Sequence, residues 1–316
     1  MSSRVCVVGA LHRDLVVRAT RFPQPGETVP GEGFSLFVGG KGANQAVAAA
    51  RLRGRVAQVG ALGDDEWGGV VLAALVAEGL DLVHVATVPR VHTGVGVITV
   101  VPGGENTIVV APGADHAVTP ADVERAAGAI AEADVLLVQG ELRPETTLAA
   151  MEVARNSNTV VVYNAAPVTA LPEGFLRHVD ILVANRGEAV ELLGEGAAVR
   201  DEGAQIGPAG LARRLASLGP ERIVLTLGAE GALAFNGQEL EHVEPFPVQA
   251  VDATGAGDAF AAALAVSRSE GARLRDSVRF ACAAGALATT RPGALPALPA
   301  RDEVDALLRR RKGSRV

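Results

Sequence analysis

The chain has 316 residues, 48% hydrophobic but only 3% aromatic, with a formal net charge of −7. That length suits one large α/β domain with an appendage, while the acidic balance and the shortage of aromatics exclude a surface for nucleic acid or for an anionic membrane. No run approaches the ~18 uninterrupted apolar residues of a membrane span, no signal-peptide pattern opens the chain, and the six histidines lack HExxH or paired spacing, so no zinc site is expected.

Residues 5–10 form a short continuous apolar run, as in a parallel strand buried on both faces. Strands follow over 15–19 and 34–38, joined by the turn-rich Phe22-Pro23-Gln24-Pro25-Gly26-Glu27-Thr28. With no helix between them, they predict an antiparallel excursion from the main sheet. An Ala-rich helix over 43–53, a strand over 56–62 and a helix over 68–78 come next. Strands over 94–101 and 106–111 flank Pro102-Gly103-Gly104-Glu105, a hairpin signal. This hairpin and the early excursion are expected to share a small sheet.

From residue 120 the pattern alternates. A helix over 120–133 with Thr119 as N-cap leads to a strand over 135–139, a helix over 145–156 and a strand over 160–164. A strand over 181–184, helices over 186–193 and 207–218 and a strand over 222–227 continue the series. Strands over 231–235 and 243–251 are placed near the sheet edge, and helices over 259–269, 274–289 and 301–310 close the chain, with a solvated basic tail. Repeated βα units with short loops imply a mainly parallel sheet covered on both faces, whose ligands bind beyond the carboxyl ends of the strands. Cys6 and Cys282 lie in apolar stretches without a CxxC partner, so two buried free thiols in a reducing, cytoplasmic compartment are expected.

Two glycine motifs carry chemistry. In Asp252-Ala253-Thr254-Gly255-Ala256-Gly257-Asp258 the glycines allow a tight turn and close backbone approach, and the helix behind it aims free N–H groups and a positive dipole end at the corner. The corner suits a phosphate or a developing negative charge. Asp258 within it can take a proton from a hydroxyl while the N–H groups stabilise a transferring phosphoryl group; the plainer alternative is an Asp cap on an ordinary helix. Gly39-Gly40-Lys41-Gly42-Ala43-Asn44-Gln45-Ala46 is no P-loop, since GxxxxGK[ST] is absent from the chain. Its backbone, Lys41 and Asn44 offer donors and an acceptor for several hydroxyls of a sugar. The plainer alternative is a glycine-rich turn before a helix. Lys41 stands out because only one other lysine, Lys312, occurs.

Together these motifs resemble those of the ribokinase (PfkB-type) carbohydrate kinases, and the resemblance runs almost the full length. It includes Pro25-Gly26-Glu27-Thr28, the segment 60–68, Thr93-Gly94, Asn185-Arg186-Gly187-Glu188, the segment 226–231 and Arg291-Pro292-Gly293. It implies a ribokinase-like α/β fold with helices on both faces of a mainly parallel sheet, in a single domain over 1–316. A small β-sheet lid would come from about 13–36 and 92–111, and a homodimer would form through it. It implies ATP-dependent phosphorylation of a sugar hydroxyl, D-ribose to D-ribose 5-phosphate first, with a nucleoside or ketose as the alternative acceptor. A sugar-binding regulator without catalysis is the remote alternative, against which the intact Asp258, Gly255 and Gly257 speak. A dinucleotide-binding dehydrogenase is excluded because Gly9-Ala10-Leu11-His12-Arg13-Asp14 lacks GxGxxG.

By the same resemblance, Asp258 is the catalytic base and Gly255, Ala256 and Gly257 supply the anion hole. Asp14, Gly40, Lys41, Asn44 and Glu141 match sugar-contacting positions, carboxylates being good acceptors for hydroxyls. His12 stands where the family pattern has Asn, which makes ribose itself less secure than kinase activity. Glu188 would organise water around Mg²⁺, which keeps several waters and needs few carboxylates, and Asn185 would reach the nucleotide phosphates. The plainer account of that pair is a helix start with Glu in its first turn. Thr226, Gly228 and Gly231 look like a nucleotide-binding loop, and Cys282 falls near the adenine-contact position, beside its reading as a structural thiol. Backbone carbonyls at Asp252, Thr254, Ala288, Arg291 and Gly293 would surround K⁺; the last ligand in the family is a Ser, and this chain has Ala297 there.

Overall fold

A computed structural model describes residues 3–103, 105–194 and 206–313. Its first strands are β1 (Arg4–Val8), β2 (His12–Ala19), β3 (Gly31–Gly39), β4 (Arg55–Gly63), β5 (Asp81–Val88), β6 (Gly94–Val100) and β7 (Asn106–Ala111). The later ones are β8 (Val135–Gln139), β9 (Val160–Asn164), β10 (Ile181–Asn185), β11 (Arg222–Thr226), β12 (Ala232–Phe235) and β13 (Leu240–Val243). The helices are α1 (Lys41–Arg51), α2 (Glu66–Ala77), α3 (Pro120–Arg125), α4 (Ala127–Glu132), α5 (Pro144–Asn156), α6 (Arg186–Leu192), α7 (Pro208–Ala216), α8 (Ala256–Ser269), α9 (Leu274–Ala288) and α10 (Arg301–Gly313).

Nine strands form one sheet in the order β13-β12-β11-β10-β9-β8-β1-β4-β5. The pairings from β5 to β11 are parallel, and β12 and β13 are added antiparallel. The continuous apolar runs in β1 and β8 to β11 follow from burial on both faces. Val5 and Val7 of β1 join the core beneath α1, α8 and α9, whereas Cys6 and Val8 join the core beneath α5 and α7. Helix α8 is rich in alanine because it lies inside this packing; Ala259 to Val266 are all buried, pressed between α1, α9 and the sheet. Cys6 and Cys282 are buried and are not joined in a disulfide. Among the described residues no helix is long and apolar enough to cross a membrane.

A second sheet has the order β3-β2-β6-β7, so the early excursion and the later hairpin do share one sheet. Its two faces differ by strand parity. The row Phe37–Asp14–Gly96–Val110 faces the carboxyl ends of the main sheet, and the row Leu36–Leu15–Val97–Val109 faces outward. Phe34 is 60% and Val109 70% exposed on that outer side. A clasp ties the small sheet to the large one. Asp65, the N-cap of α2, accepts from Gly68 N, Thr93 N and Thr93 Oγ1 at 2.7, 2.8 and 2.7 Å, and Gly63 N donates to Thr93 Oγ1.

Four expectations change. The helix over 120–133 is broken at Ala126 into α3 and α4, although Thr119 does close a capping box with Asp122. Strand β5, at the sheet edge, was not expected; its half-exposed, evenly mixed side chains give little periodic signal. The strand over 243–251 is instead β13, four residues long, and 244–250 run without regular structure. Pro245 and Pro247 have no N–H to offer a ladder. Helix α8 begins at Ala256 rather than Ala259, which puts Asp258 in its first turn. Gly104 of the hairpin turn and the tail from residue 314 lie outside the described residues.

Candidate active site

The carboxyl ends of β1, β8, β9, β10 and β11 open on one side of the main sheet, beneath the inner face of the small sheet. A cavity of about 250 Å³ there is lined by His12, Asp14, Gly40, Lys41, Asn44, Glu141, Asp252, Thr254, Gly255 and Asp258. All of the expected sugar-contacting residues therefore meet in one place. The small sheet adds Gly96, Ile98, Asn106, Ile108 and Val110 as a roof. Sequence reasoning missed these, because an alternating strand does not show which of its faces covers a ligand.

Glycines make room for the charged groups. A Cβ on Gly39 or Gly96 would fall 2.0 and 2.5 Å from the Asp14 carboxyl oxygens. Asp14 is wedged between them, and burial pushes its carboxyl up to about 6 despite the opposing charge of His12. His12 Nε2 lies 2.8 Å from Asp115 Oδ2, both residues buried, and Asp115 Oδ1 accepts from Leu11 N at 2.9 Å. A Cβ on Gly94 would meet that pair at 2.3 and 2.4 Å, which is why Thr93 is followed by glycine. Burial opposes charge on His12, but the bond to Asp115 and the charges of Glu141, Asp115 and Asp14 raise it to about 9. At the position that departs from the family pattern the surrounding carboxylates thus favour the charged imidazole, and its partner Asp115 had no signal in the sequence.

Lys41 is the first residue of α1. Its backbone N–H donates to Glu141 Oε2 at 2.7 Å, a carboxylate at a helix N-terminus. Burial lowers the Lys41 ammonium, but Asp258, Glu141, Glu188 and Asp14 hold it above its ordinary value. Burial raises Glu141, against the pull of His12 and Lys41. Asp258 Oδ2 accepts from Asn44 Nδ2 at 2.9 Å, and Oδ1 from Gln45 Nε2 at 3.0 Å. Gln45 Nε2 also donates to Asn164 Oδ1 at 2.9 Å, and Gln139 Nε2 donates to Gln45 Oε1 at 2.7 Å. Gln45, Gln139 and Asn164 are further residues that the sequence did not single out. The carbonyl Oδ1 of Asn44 is buried at the cavity wall with no hydrogen-bond partner among the described residues. Such an atom costs roughly 1–3 kcal/mol unless a donor reaches it, and a substrate hydroxyl is a suitable donor.

On the far side of Ala253, which lines both, lies a larger cleft of about 580 Å³. Thr226, Gly228, Gly231, Gly257 and Cys282 are brought together in its lining, and Phe246, Phe260 and Val248 make it mostly apolar. The residues 244–250 that fail to form a strand supply one wall of it. The N-terminus of α8 is the seam between the cavities: Gly255 and Asp258 face the smaller one, Ala256 and Gly257 the larger. Gly255 has φ 76°, and a Cβ there would press on Ala294. The Ala256 N–H turns back to Ala253 O at 3.2 Å, while Gly255 and Gly257 N–H make no backbone bond among the described residues. Asn185 and Glu188 close a capping box at the start of α6, Asn185 N to Glu188 Oε2 at 2.7 Å and Glu188 N to Asn185 Oδ1 at 2.9 Å. Register places Asn185 beside Thr226 of the cleft. Burial raises the Glu188 carboxyl, with the Lys41 charge opposing and Asp258 adding to the rise.

The turn before α8 is fastened to the chain after α9. Val251 N and Asp252 N donate to Thr289 O at 2.7 and 3.1 Å. The Asp252 carboxylate accepts from Thr254 N, Thr254 Oγ1 and Gly293 N at 2.9, 2.7 and 2.8 Å. Asp252, Thr254 and Gly293 are therefore brought together, with Ala288 and Arg291 on either side of Thr289. The Arg291 side chain turns away to Glu303. Ala297 is buried in the next turn, where Arg51 Nη1 holds the carbonyls of Leu295 and Leu298 at 2.9 and 3.0 Å.

Comparison with known proteins gives the same picture. Residues 2–301 match the model of the pfkB family carbohydrate kinases. The chain is 35% identical over 303 residues to a ribokinase of Haemophilus influenzae, covering 96% of this chain and 97% of that one. It is 36% identical over 304 residues to a ribokinase of Bacillus subtilis, covering 96% and 99%. Among solved structures it is similar to Arabidopsis thaliana ribokinase complexed with ribose and ATP, with a TM-score of 0.85 and 30% identity over 98% of this chain and 99% of that one.

Proposed function

Since this chain belongs to the pfkB family of carbohydrate kinases, we propose that it phosphorylates D-ribose with ATP, giving D-ribose 5-phosphate and ADP. The relatives named ribokinase, matched over nearly their whole length, support that acceptor. The observation that carries the reading is the pair of cavities meeting at the α8 N-terminus, with the Asp258 carboxylate on the smaller side. Among the described residues the smaller cavity has a polar floor, no Phe, Tyr or Trp in its lining and one orphaned carbonyl, Asn44 Oδ1. It offers hydrogen bonds to a sugar and no stacking surface for a nucleoside base. The larger, apolar cleft suits the adenine and ribose of ATP, whose γ-phosphoryl group then reaches the seam.

In this reading ribose is held by Asp14, Gly40, Lys41, Asn44, Glu141 and the His12–Asp115 pair. Asp258 takes the proton of the 5-hydroxyl as that oxygen attacks the γ-phosphorus. The N–H groups of Gly255 and Gly257, with the α8 dipole, stabilise the equatorial oxygens, and Lys41 adds charge from the sugar side. Catalysis is positioning and charge stabilisation, as in phosphoryl transfer generally. Mg²⁺, carried with the nucleotide, would neutralise charge on its phosphates. Glu188 fits a hydrated ion, since only one of its oxygens is tied in the capping box. The paired segments 252–254 and 288–293 would present carbonyls to K⁺, and Ala297 leaves that shell one side-chain oxygen short.

The small sheet acts as a lid over the sugar, and its outward apolar row, with Phe34, is the face through which two copies would pair. The buried, unbridged cysteines fit the cytoplasm. ADP release measured across D-ribose, 2-deoxyribose, ketoses, hexoses and nucleosides tests the assignment. The highest kcat/KM on D-ribose is expected, and a nucleoside in first place refutes it.

A further inference from the structure

We propose that Gln45 is a positioning residue for Asp258, the last link of a buried chain of amides that fixes which carboxylate oxygen meets the substrate. The inference rests on the reading of Asp258 as the base. Consecutive residues of α1 grip the two oxygens separately: Asn44 holds Oδ2 and Gln45 holds Oδ1. Asn44 lines the sugar cavity, whereas Gln45 is wholly buried and does not. Oδ1 therefore belongs to the network below the pocket, and Oδ2 is the oxygen presented to the acceptor hydroxyl.

Surroundings fix the orientation of the Gln45 amide. Its nitrogen faces two acceptors, Asp258 Oδ1 at 3.0 Å and Asn164 Oδ1 at 2.9 Å, and its oxygen faces the donor Gln139 Nε2 at 2.7 Å. A flipped amide would set oxygen against two acceptors and nitrogen against a donor. The supports stand at the ends of parallel strands, Gln139 on β8 and Asn164 on β9, so the carboxylate is referenced to the rigid sheet and not only to α8. Gly9 completes the arrangement, because a Cβ there would lie 2.1 Å from Gln139 Oε1. Amides do not titrate in the working range, so this support does not change with pH.

The test uses Gln45→Met, Gln45→Glu and Asp258→Asn, with kcat, both KM values and the pH profile of kcat. Gln45→Met removes the donors at similar size, and a misplacement of this kind lowers kcat about 10–100-fold with KM for ribose and ATP little changed. Gln45→Glu keeps the shape but puts a second carboxyl beside Asp258. Two such groups share a proton, so the acid limb of its kcat profile moves up by about one pH unit or more. That shift shows only that residue 45 reaches the carboxylate. If the Met variant fails to fold, the kcat of Gln45→Glu above its moved acid limb decides the matter. It stays about 10-fold or more below wild type because the donor to Oδ1 is gone, whereas a merely structural Gln45 gives wild-type kcat once Asp258 is ionised. Folded Gln45 variants that reach wild-type kcat on the pH plateau, alongside an inactive Asp258→Asn, overturn the positioning role alone. A fully active Asp258→Asn overturns the assignment of the base, and the positioning role with it.

Discussion

Replacing Asp115 by Asn should make folding stability less dependent on pH between about 6.5 and 9. The substitution keeps the size of the side chain and an acceptor for Leu11 N, and turns an NH₂ in place of a carboxylate oxygen toward His12 Nε2, so the charge and the acceptor that face the imidazole at 2.8 Å are both lost. The His12 imidazole is raised from 6.5 to about 9 in the folded chain. A group raised on folding adds stability that is fully present below its unfolded value and is lost as pH rises through the folded one. At 1.36 kcal/mol for each unit, the contribution is about 3 kcal/mol below pH 6.5 and fades towards pH 9. Glu141 and Asp14 also pull upward, but the hydrogen bond to Asp115 is the largest of the raising causes, so the variant should lose about 2 kcal/mol at pH 7. Urea unfolding of both proteins at half-unit intervals from pH 6 to 10 measures this. The difference between the two cancels the titration of Asp14 and Glu141, insofar as the substitution leaves it unchanged. A gap of that size at pH 6 to 7 that closes by pH 9 to 10 is expected. Two parallel curves over the whole range refute a charged His12.

Asp258→Asn should leave calorimetric binding of ribose and ATP nearly intact and lower kcat by about 10²–10⁴-fold; near-normal turnover removes it from the mechanism. Asn44→Ala should raise KM for ribose well above any change in KM for ATP, and lower kcat as well, because Asn44 also holds Asp258 Oδ2. A loss of ATP affinity alone would put the Gly39–Asn44 loop at the nucleotide. Potassium should raise kcat/KM for ribose over sodium at constant ionic strength, by steadying the turn that leads into α8, and Ala297→Ser should strengthen the effect. Equal rates in Na⁺, K⁺ and Cs⁺, for both proteins, rule out a working cation site.

The parallel core was legible because burial on both faces writes itself as unbroken apolar runs, as in β1 and β8. Strand β5, at an edge with mixed exposure, left no such trace. Over 244–250 apolar residues alternate as in a strand, but Pro245 and Pro247 withhold the ladder's donors and the segment is irregular. In the site, residues within glycine motifs could be found from sequence: Gly40, Lys41, Asn44, Gly255 and Asp258 stand where expected around one cavity. What could not be read is whatever depends on contact between distant strands. Asp115 lies 103 positions from His12 and looks like a loop acid until Gly94 is seen to leave room for the pair. Gln139 and Asn164 each end an apolar strand and become meaningful only because β8 and β9 are neighbours.

The smaller cavity draws its floor and its roof from different sheets. The floor, with Asp258 and its amide supports, belongs to the nine-stranded sheet; Gly96, Ile98, Asn106, Ile108 and Val110 of the roof belong to the small one, clasped to it at Asp65 and Thr93. On the proposed reading, Asn44 and Lys41 of the floor serve both sugar and transfer, but the roof residues touch only the sugar side, so that part of acceptor choice is written apart from the reacting groups. On the same reading, changes in β7, which among the described residues pairs with β6 alone, alter which sugar fits while leaving the reacting geometry as it was. An evolving lineage, or a library randomised at 106, 108 and 110, could explore new acceptors without first surrendering catalysis.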